Sequence, residues 1–98
     1  MDNTINLDLF HPHVGSTFTV ATAEEETRDL ELIEAKPLKT NPGAPRQDAF
    51  SLMFRGPIDL YFPQNTYAVS HPRLGTVHLF LVPRQPDEEG TYFEAIFN

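Results

Sequence analysis

Apolar and polar residues alternate with a period of two along most of this chain. In "STFTVAT" (16–22), Phe18 and Val20 fall on one side and Thr17, Thr19 and Ala21 on the other. In "RDLELIEA" (28–35), Leu30 and Leu32 alternate with Asp29, Glu31 and Ile33, and in "AFSLMFRG" (49–56), Phe50, Leu52 and Phe54 alternate with Ser51, Met53 and Arg55. Successive side chains of a strand point to opposite faces, so this spacing predicts strands with one face in a core. "NTYAVSH" (65–71) sets Tyr67 and Val69 together, and "TYFEAIFN" (91–98) gathers Phe93, Ala95 and Phe97. "TVHLFLVP" (76–83) is apolar almost throughout and reads as a central strand covered on both sides.

Turn residues separate these runs. "HPRLG" turns through Pro72 and Gly75. "RQPDEEG" (84–90), with Pro86, Asp87 and Gly90, reads as a solvent-exposed turn, and Glu24 to Glu26 as a solvated turn between strands. Short turns make sequential strands antiparallel neighbours. The expectation is a single all-β domain over residues 1–98, a small antiparallel barrel or two-layer sandwich of about six strands.

Three segments depart from the alternation. "TINLDLF" (4–10) spaces Ile5, Leu9 and Phe10 as a helix would, with Asn3 or Thr4 as the cap and Pro12 as the stop. It predicts a short N-terminal helical segment plugging an open barrel end. "KPLKTNPGAPRQD" (36–48) has three prolines and little to bury, and reads as a long, mobile loop. "RGPIDLYFPQ" (55–64) holds Ile58, Leu60, Tyr61 and Phe62 between Pro57 and Pro63, which withhold backbone donors and argue against a ladder strand. Four large apolar residues in a connection either fold back over a barrel end or form a partner surface. Arg55, Ile58, Leu60, Tyr61 and Phe62 are therefore the candidate binding residues, with Arg55 at the rim.

Composition narrows the functional classes. The 98 residues are 40% hydrophobic and include eight Phe and three Tyr, enough for one core. With no cysteine, disulfides, thiolate metal sites and Cys nucleophiles are excluded, and a reducing, cytoplasmic setting suits the chain. The N-terminus lacks the basic flank and apolar run of a signal peptide, and no run approaches the ~20 apolar residues of a membrane helix. The formal charge is −7 and the Lys and Arg residues are scattered, which disfavours nucleic acid as a partner.

Candidate chemistry is sparse. His11 and His13 flank Pro12 in a turn-like segment, and His71 and His78 border the "HPRLG" hairpin. A turn centred on Arg73 and Leu74 sets His78 against Val69 and away from His71, so no four-histidine metal site is expected. Ser70 and His71 are neighbours on a strand and point apart, which is not the geometry of a nucleophile and its base. No glycine run resembles a phosphate-binding loop. Arg55, ending an apolar strand before Gly56 and Pro57, reads as a strand-end cation held by a carbonyl or carboxylate, or as a ligand contact.

"LDLFHPHVGSTF", "FSLMFRGP", "PQNTYAVSHPRLGTVHLFLVP" and the ending "YFEAIFN" resemble a family of small bacterial proteins classed as a domain of unknown function. The likeness spans most of the chain outside residues 36–48. It implies relatives encoded near phage-tail-like proteins, and hence an accessory or assembly role. The shared positions are Pro, Gly, Phe, Tyr and Leu at turns and core faces, and they supply no acid, base or nucleophile set. The expected function is that of a non-enzymatic accessory or protein–protein interaction module without metal or cofactor, its partner another protein or a second copy. The alternative is a barrel that binds a small ligand in an enclosed cavity.

Overall fold

The structure, a computed structural model, describes residues 6–23, 26–38, 43 and 49–97. A short helix α1 (Leu7–Phe10) and a 3-10 turn (His11–His13) precede six strands: β1 (Thr17–Ala23), β2 (Glu26–Pro37), β3 (Phe50–Gly56), β4 (Asn65–His71), β5 (Gly75–Asp87) and β6 (Gly90–Phe97). The strands close into an antiparallel barrel in the order β1-β2-β3-β6-β5-β4. Among the described residues no helix is long and apolar enough to cross a membrane.

The alternating residues line the interior as their spacing requires. Phe18 and Val20, Leu30 and Leu32, Phe50, Leu52 and Phe54, Tyr67 and Val69, Leu79 and Leu81, and Phe93 and Ala95 are all buried in one cluster. The phase slips once in β2. Leu32 pairs with Phe54 and Glu34 with Met53, so Ile33 is an extra residue in a bulge. Ala35 then returns to the inner face opposite Leu52.

β5 corrects two expectations. It is not covered on both sides: Leu79 and Leu81 point inward, while Phe80 on the outer face is 51% exposed. Nor is residues 84–90 a turn, because β5 runs to Asp87 and only Glu88 and Glu89 turn the chain. Its first part pairs with β4 up to Leu81 and its second with β6 from Val82 onward. Past Leu81 the β4-side edge has no ladder to lose, and the register against β6 shifts between Arg84 and Asp87. Those are the places where a strand tolerates Pro83 and Pro86. The hairpin before it also differs in register. Pro72, Arg73 and Leu74 form the turn, so His78 pairs with Ala68 and Val77 with Val69.

The 36–48 loop begins later than expected, since Lys36 and Pro37 belong to β2 and pair with Ser51 and Phe50. Leu38 N–H then donates to the Ala49 carbonyl at 2.9 Å. Residues 39–42 and 44–48 lie outside the described residues, as do Glu24 and Glu25 of the acidic turn.

One barrel end is closed by α1. Its cap is Asn6, whose Oδ1 accepts the Leu9 N–H at 3.0 Å; Asn3 and Thr4 lie outside the described residues. Phe10 is fully buried, its ring centroid 6.2–6.5 Å from those of Phe18, Phe50 and Phe97. Pro12 does not stop the coil at once: it sits inside the 3-10 turn, where its missing donor is not needed. Gly15, at φ 96°, then redirects the chain into β1, and its N–H donates to the Leu32 carbonyl at 2.7 Å.

The other end is closed by Pro57 to Gln64. β3 and β4 are three places apart in a ring of six, so this connection must cross the barrel mouth. Leu60 and Phe62 turn into it. Phe62 stacks on Phe93 with centroids 4.0 Å apart and meets Tyr67 edge-on at 4.7 Å. The Tyr67 hydroxyl donates to the Pro63 carbonyl. Gly56 leaves room for the plug: a Cβ there would lie 2.8 Å from Leu60 Cδ2 and 2.9 Å from Leu30 Cδ2.

Candidate interaction face

The five residues that the sequence nominated do not form one surface. Leu60 and Phe62 are 5% and 4% exposed and belong to the core, so neither is free to meet a partner. The crossing connection uses them as the plug because it spans an apolar mouth that must be covered. Ile58 and Tyr61, at 61% and 72%, point to solvent from the same connection. Arg55 lies on the outer face of β3 and is held by carboxylates. Its Nη2 donates to Glu31 Oε1 at 2.9 Å and its Nη1 to Glu89 Oε1 at 3.4 Å. The bond to Glu31 is the main reason the guanidinium holds its proton above its already high ordinary value.

A second set of outward-facing residues is assembled by the sheet itself. Opposite residues of antiparallel strands share a face, so the registers place outward side chains in rows across β2, β3, β6 and β5. One row is Glu31, Arg55, Tyr92, Arg84; the next is Glu34, Met53, Glu94, Val82; the third runs Lys36, Ser51, Ile96. The same spacing sets Phe80 beside Ile96. Phe80 and Ile96 are 51% and 53% exposed and, with Val82, Arg84 and Glu94, line a groove of about 290 Å³. Next to it an open cleft of about 630 Å³ is bounded by Met53, Pro83, Arg84, Gln85, Pro86 and Tyr92, where the β5 register shift splays the ladder.

The charges on this face are paired within the chain. Arg84 Nε lies 3.4 Å from Glu94 Oε1, Lys36 Nζ 4.0 Å from Glu34 Oε1, and Arg55 is matched as described. At the edge, the Tyr92 hydroxyl donates to the Asp87 carboxylate at 2.8 Å, and the Glu89 N–H donates to Asp87 Oδ1, also at 2.8 Å. The Glu89 N–H, then the Tyr92 hydroxyl, hold the Asp87 carboxyl below its ordinary value; the bond to Asp87 in turn raises the Tyr92 phenol. Exposed side-chain pairs of this kind contribute little stability individually, but they match each of Lys36, Arg55 and Arg84 with a carboxylate.

The sequence carries a signal for this face. Phe80 shares its strand phase with His78, and Ile96 with Glu94, so an apolar residue had entered the polar register in each of two strands.

The histidines separate. His78 is on the outer face of β5, and His11 is exposed. His13 and His71 meet at the capped end, ring centroids 4.5 Å apart, and His71 also lies against Phe18 at 4.6 Å. His71 Nδ1 accepts the Arg73 N–H at 3.0 Å. Burial, then the charges of His13 and Arg73, lower its pKa below the ordinary histidine value. Among the described residues no three His, Asp or Glu side chains converge as a metal site would need.

No curated protein matches the chain, and no solved structure does. A family described as a domain of unknown function (DUF6916) matches it over residues 5–97, which include every strand of the barrel, and the chain belongs to that family.

Proposed function

We propose that this barrel is a non-enzymatic protein-interaction module whose binding surface is the outer face of β3, β6 and β5. The observation that carries the reading is the pair Phe80 and Ile96, half exposed side by side on a regular sheet. Large apolar side chains gathered on an open face, rimmed by polar groups, mark contact sites. The charged groups nearby are engaged in pairs within the chain, which supports a scaffold. The filled interior weighs against a ligand-holding barrel. Phe10, Phe18, Phe54, Phe62 and Phe93 occupy it ring against ring, and a small barrel has room for little else. A role as an accessory part of a phage-tail-like assembly in the bacterial cytoplasm belongs to this proposal. It rests on the family resemblance and the cysteine-free sequence.

The test is cross-linked capture from the source cells by the wild-type chain and by the Phe80→Ser/Ile96→Ser variant. A specific protein, this chain included, should be recovered with wild type and lost with the variant, whose melting curve should be unchanged. Equal recovery by both would overturn the assignment.

A further inference from the structure

We infer that α1 and the 3-10 turn form a proton-operated lid: in mild acid the segment 6–14 lifts from its end of the barrel while the six strands stay closed. The inference is independent of the interaction reading above.

Local bonds set the hinge and the attachment. Gly15 and Ser16 are tied to Leu32: the Gly15 N–H donates to the Leu32 carbonyl at 2.7 Å, and the Ser16 carbonyl accepts the Leu32 N–H at 3.1 Å. The lid therefore pivots just before Gly15, whose φ of 96° already redirects the chain. Of residues 6–14 only Phe10 is buried, while Leu7 and Leu9 pack partly against the core. A segment held by one deep side chain opens at lower cost than a laddered strand. Its lifting uncovers Phe18, Phe50 and Phe97, the rings that Phe10 meets.

The lock is His71. Its side chain is buried, in ring contact with His13 of the lid at 4.5 Å and with Phe18 of β1 at 4.6 Å. Its Nδ1 accepts the Arg73 N–H at 3.0 Å, so the neutral ring carries its proton on Nε2. A second proton must go to Nδ1, where it faces the Arg73 N–H, donor against donor. The ring then has to turn away, and His13 and Phe18 lie against it. Departure of the lid supplies the room.

The surrounding charges act in the same direction. Three of the four histidines gather at this end: His11 and His13 on the 3-10 turn and His71 at the end of β4, with Arg73 beside it in the β4–β5 turn. Acid therefore sets cation against cation. Of the other charged groups, Asp8 of α1 is exposed and His78 lies on the outer face of β5. β2, which packs against the lid, carries Glu31, bound to Arg55, and Glu34, 4.0 Å from Lys36. Burial, then the charges of His13 and Arg73, lower the proton affinity of His71, and none of these carboxylates acts on it. The closed form thus binds the proton less readily than the open one. Closure is complete above the ordinary value of 6.5 and is lost as pH falls through it toward the lower, closed-state value.

Hydrogen exchange of the full chain, read by mass spectrometry and corrected for the intrinsic pH dependence of amide exchange, tests the lid. The Leu9 N–H, bonded to Asn6, and the Val14 N–H, bonded to the His11 carbonyl, report its opening, and β3 and β6 report the barrel. Between about pH 7.5 and 5.5, exchange in the lid should quicken at least about threefold, against a ceiling of about tenfold per pH unit for each proton that only the open form binds. The barrel strands should not change. His71→Phe should remove the acceleration and His78→Gln should keep it. An acceleration absent from wild type, retained in full by His71→Phe, lost in His78→Gln or shared by the barrel strands overturns the inference. Should His71→Phe fail to fold, His13→Phe, which leaves the Nδ1 bond in place, must lessen the acceleration, and an undiminished response overturns the inference.

Discussion

Truncating Phe62 tests whether the 57–64 connection is a plug. Its ring is 4% exposed, stacked on Phe93 with planes 7° apart and capped by the edge of Tyr67. Phe62→Ala removes the buried ring and leaves a cavity at the barrel mouth, which costs about 3–5 kcal/mol for a buried aromatic. The upper part of that range applies if the mouth cannot collapse. Three features oppose collapse: β3 is bonded on both sides, Leu60 already fills the space over Gly56, and the Tyr67 hydroxyl ties the connection at Pro63. A domain of this length has roughly 5–15 kcal/mol in all, so the loss is a large share of the total. In a thermal melt it corresponds to at least ~12 °C, taking about 4–8 °C per kcal/mol for a small domain. The assay is urea unfolding followed by circular dichroism, with Tyr61→Ala as its partner. Tyr61 is one residue away and 72% exposed, so Tyr61→Ala should stay within about 0.5 kcal/mol of wild type. A midpoint for Phe62→Ala that matches wild type, or a larger loss from Tyr61→Ala, would refute the inward orientation and return Phe62 to the surface.

Gly90→Ala should cost at least the ~1–3 kcal/mol of a strained backbone position, read as a lower urea midpoint. Its φ is 151°, and a Cβ there would run into the Gly56 carbonyl oxygen and lie 3.1 Å from Arg55 Cγ. Gly15→Ala should cost less, because at φ 96° nothing lies within 4 Å of the added carbon. The capped end should weaken in mild acid. Burial, then His13 and Arg73, lower the folded-state pKa of His71 below its ordinary 6.5, so the unfolded chain binds this proton more readily. The stabilisation from neutral His71 is therefore complete above the unfolded value and is lost as pH falls through 6.5 toward the folded one. Urea titrations between pH 7 and 5 should show that decline in wild type and a shallower one in His71→Phe, and equal slopes would contradict it.

Strand identity was legible because burial on one face imposes a period of two, and Phe18, Leu30, Phe54, Tyr67, Leu79 and Phe93 keep it. What escaped the sequence was set by partners far along the chain. Pro86 looked like a turn residue until the topology left the β4-side edge of β5 free beyond Leu81. Ile33 looked like an outward strand residue, and only the pairing of Leu32 with Phe54 and Glu34 with Met53 reveals the bulge. Ile58, Leu60, Tyr61 and Phe62 gave no local sign of which would face inward, since that depends on the direction in which the connection crosses the mouth. The order of strands around the ring fixes that direction. Asn6 was passed over as a cap because the helix is only one turn long and begins later than its apolar spacing suggested.

Among the described residues, Val14 apart, the exposed large apolar side chains are Ile58 and Tyr61 on the crossing connection and Phe80 and Ile96 on the sheet, and their mountings favour the second pair as a contact surface. Ile58 lies in a turn and Tyr61 in irregular chain, each held to the barrel through its inward neighbours. No ladder pairs the backbone that carries them, so a partner gripping them restricts it more than it would a laddered strand, and that entropy is subtracted from the contact energy. Phe80 and Ile96 start from a different position. The backbone at Phe80 is laddered to Thr66 of β4, and that at Ile96 to Ser51 of β3, whose own side chain is buried. Their orientations are set before any partner arrives, leaving only side-chain freedom to lose. For equal apolar area the sheet pair therefore yields the tighter contact, and Phe80→Ser/Ile96→Ser should weaken association more than Ile58→Ser/Tyr61→Ser in any binding assay.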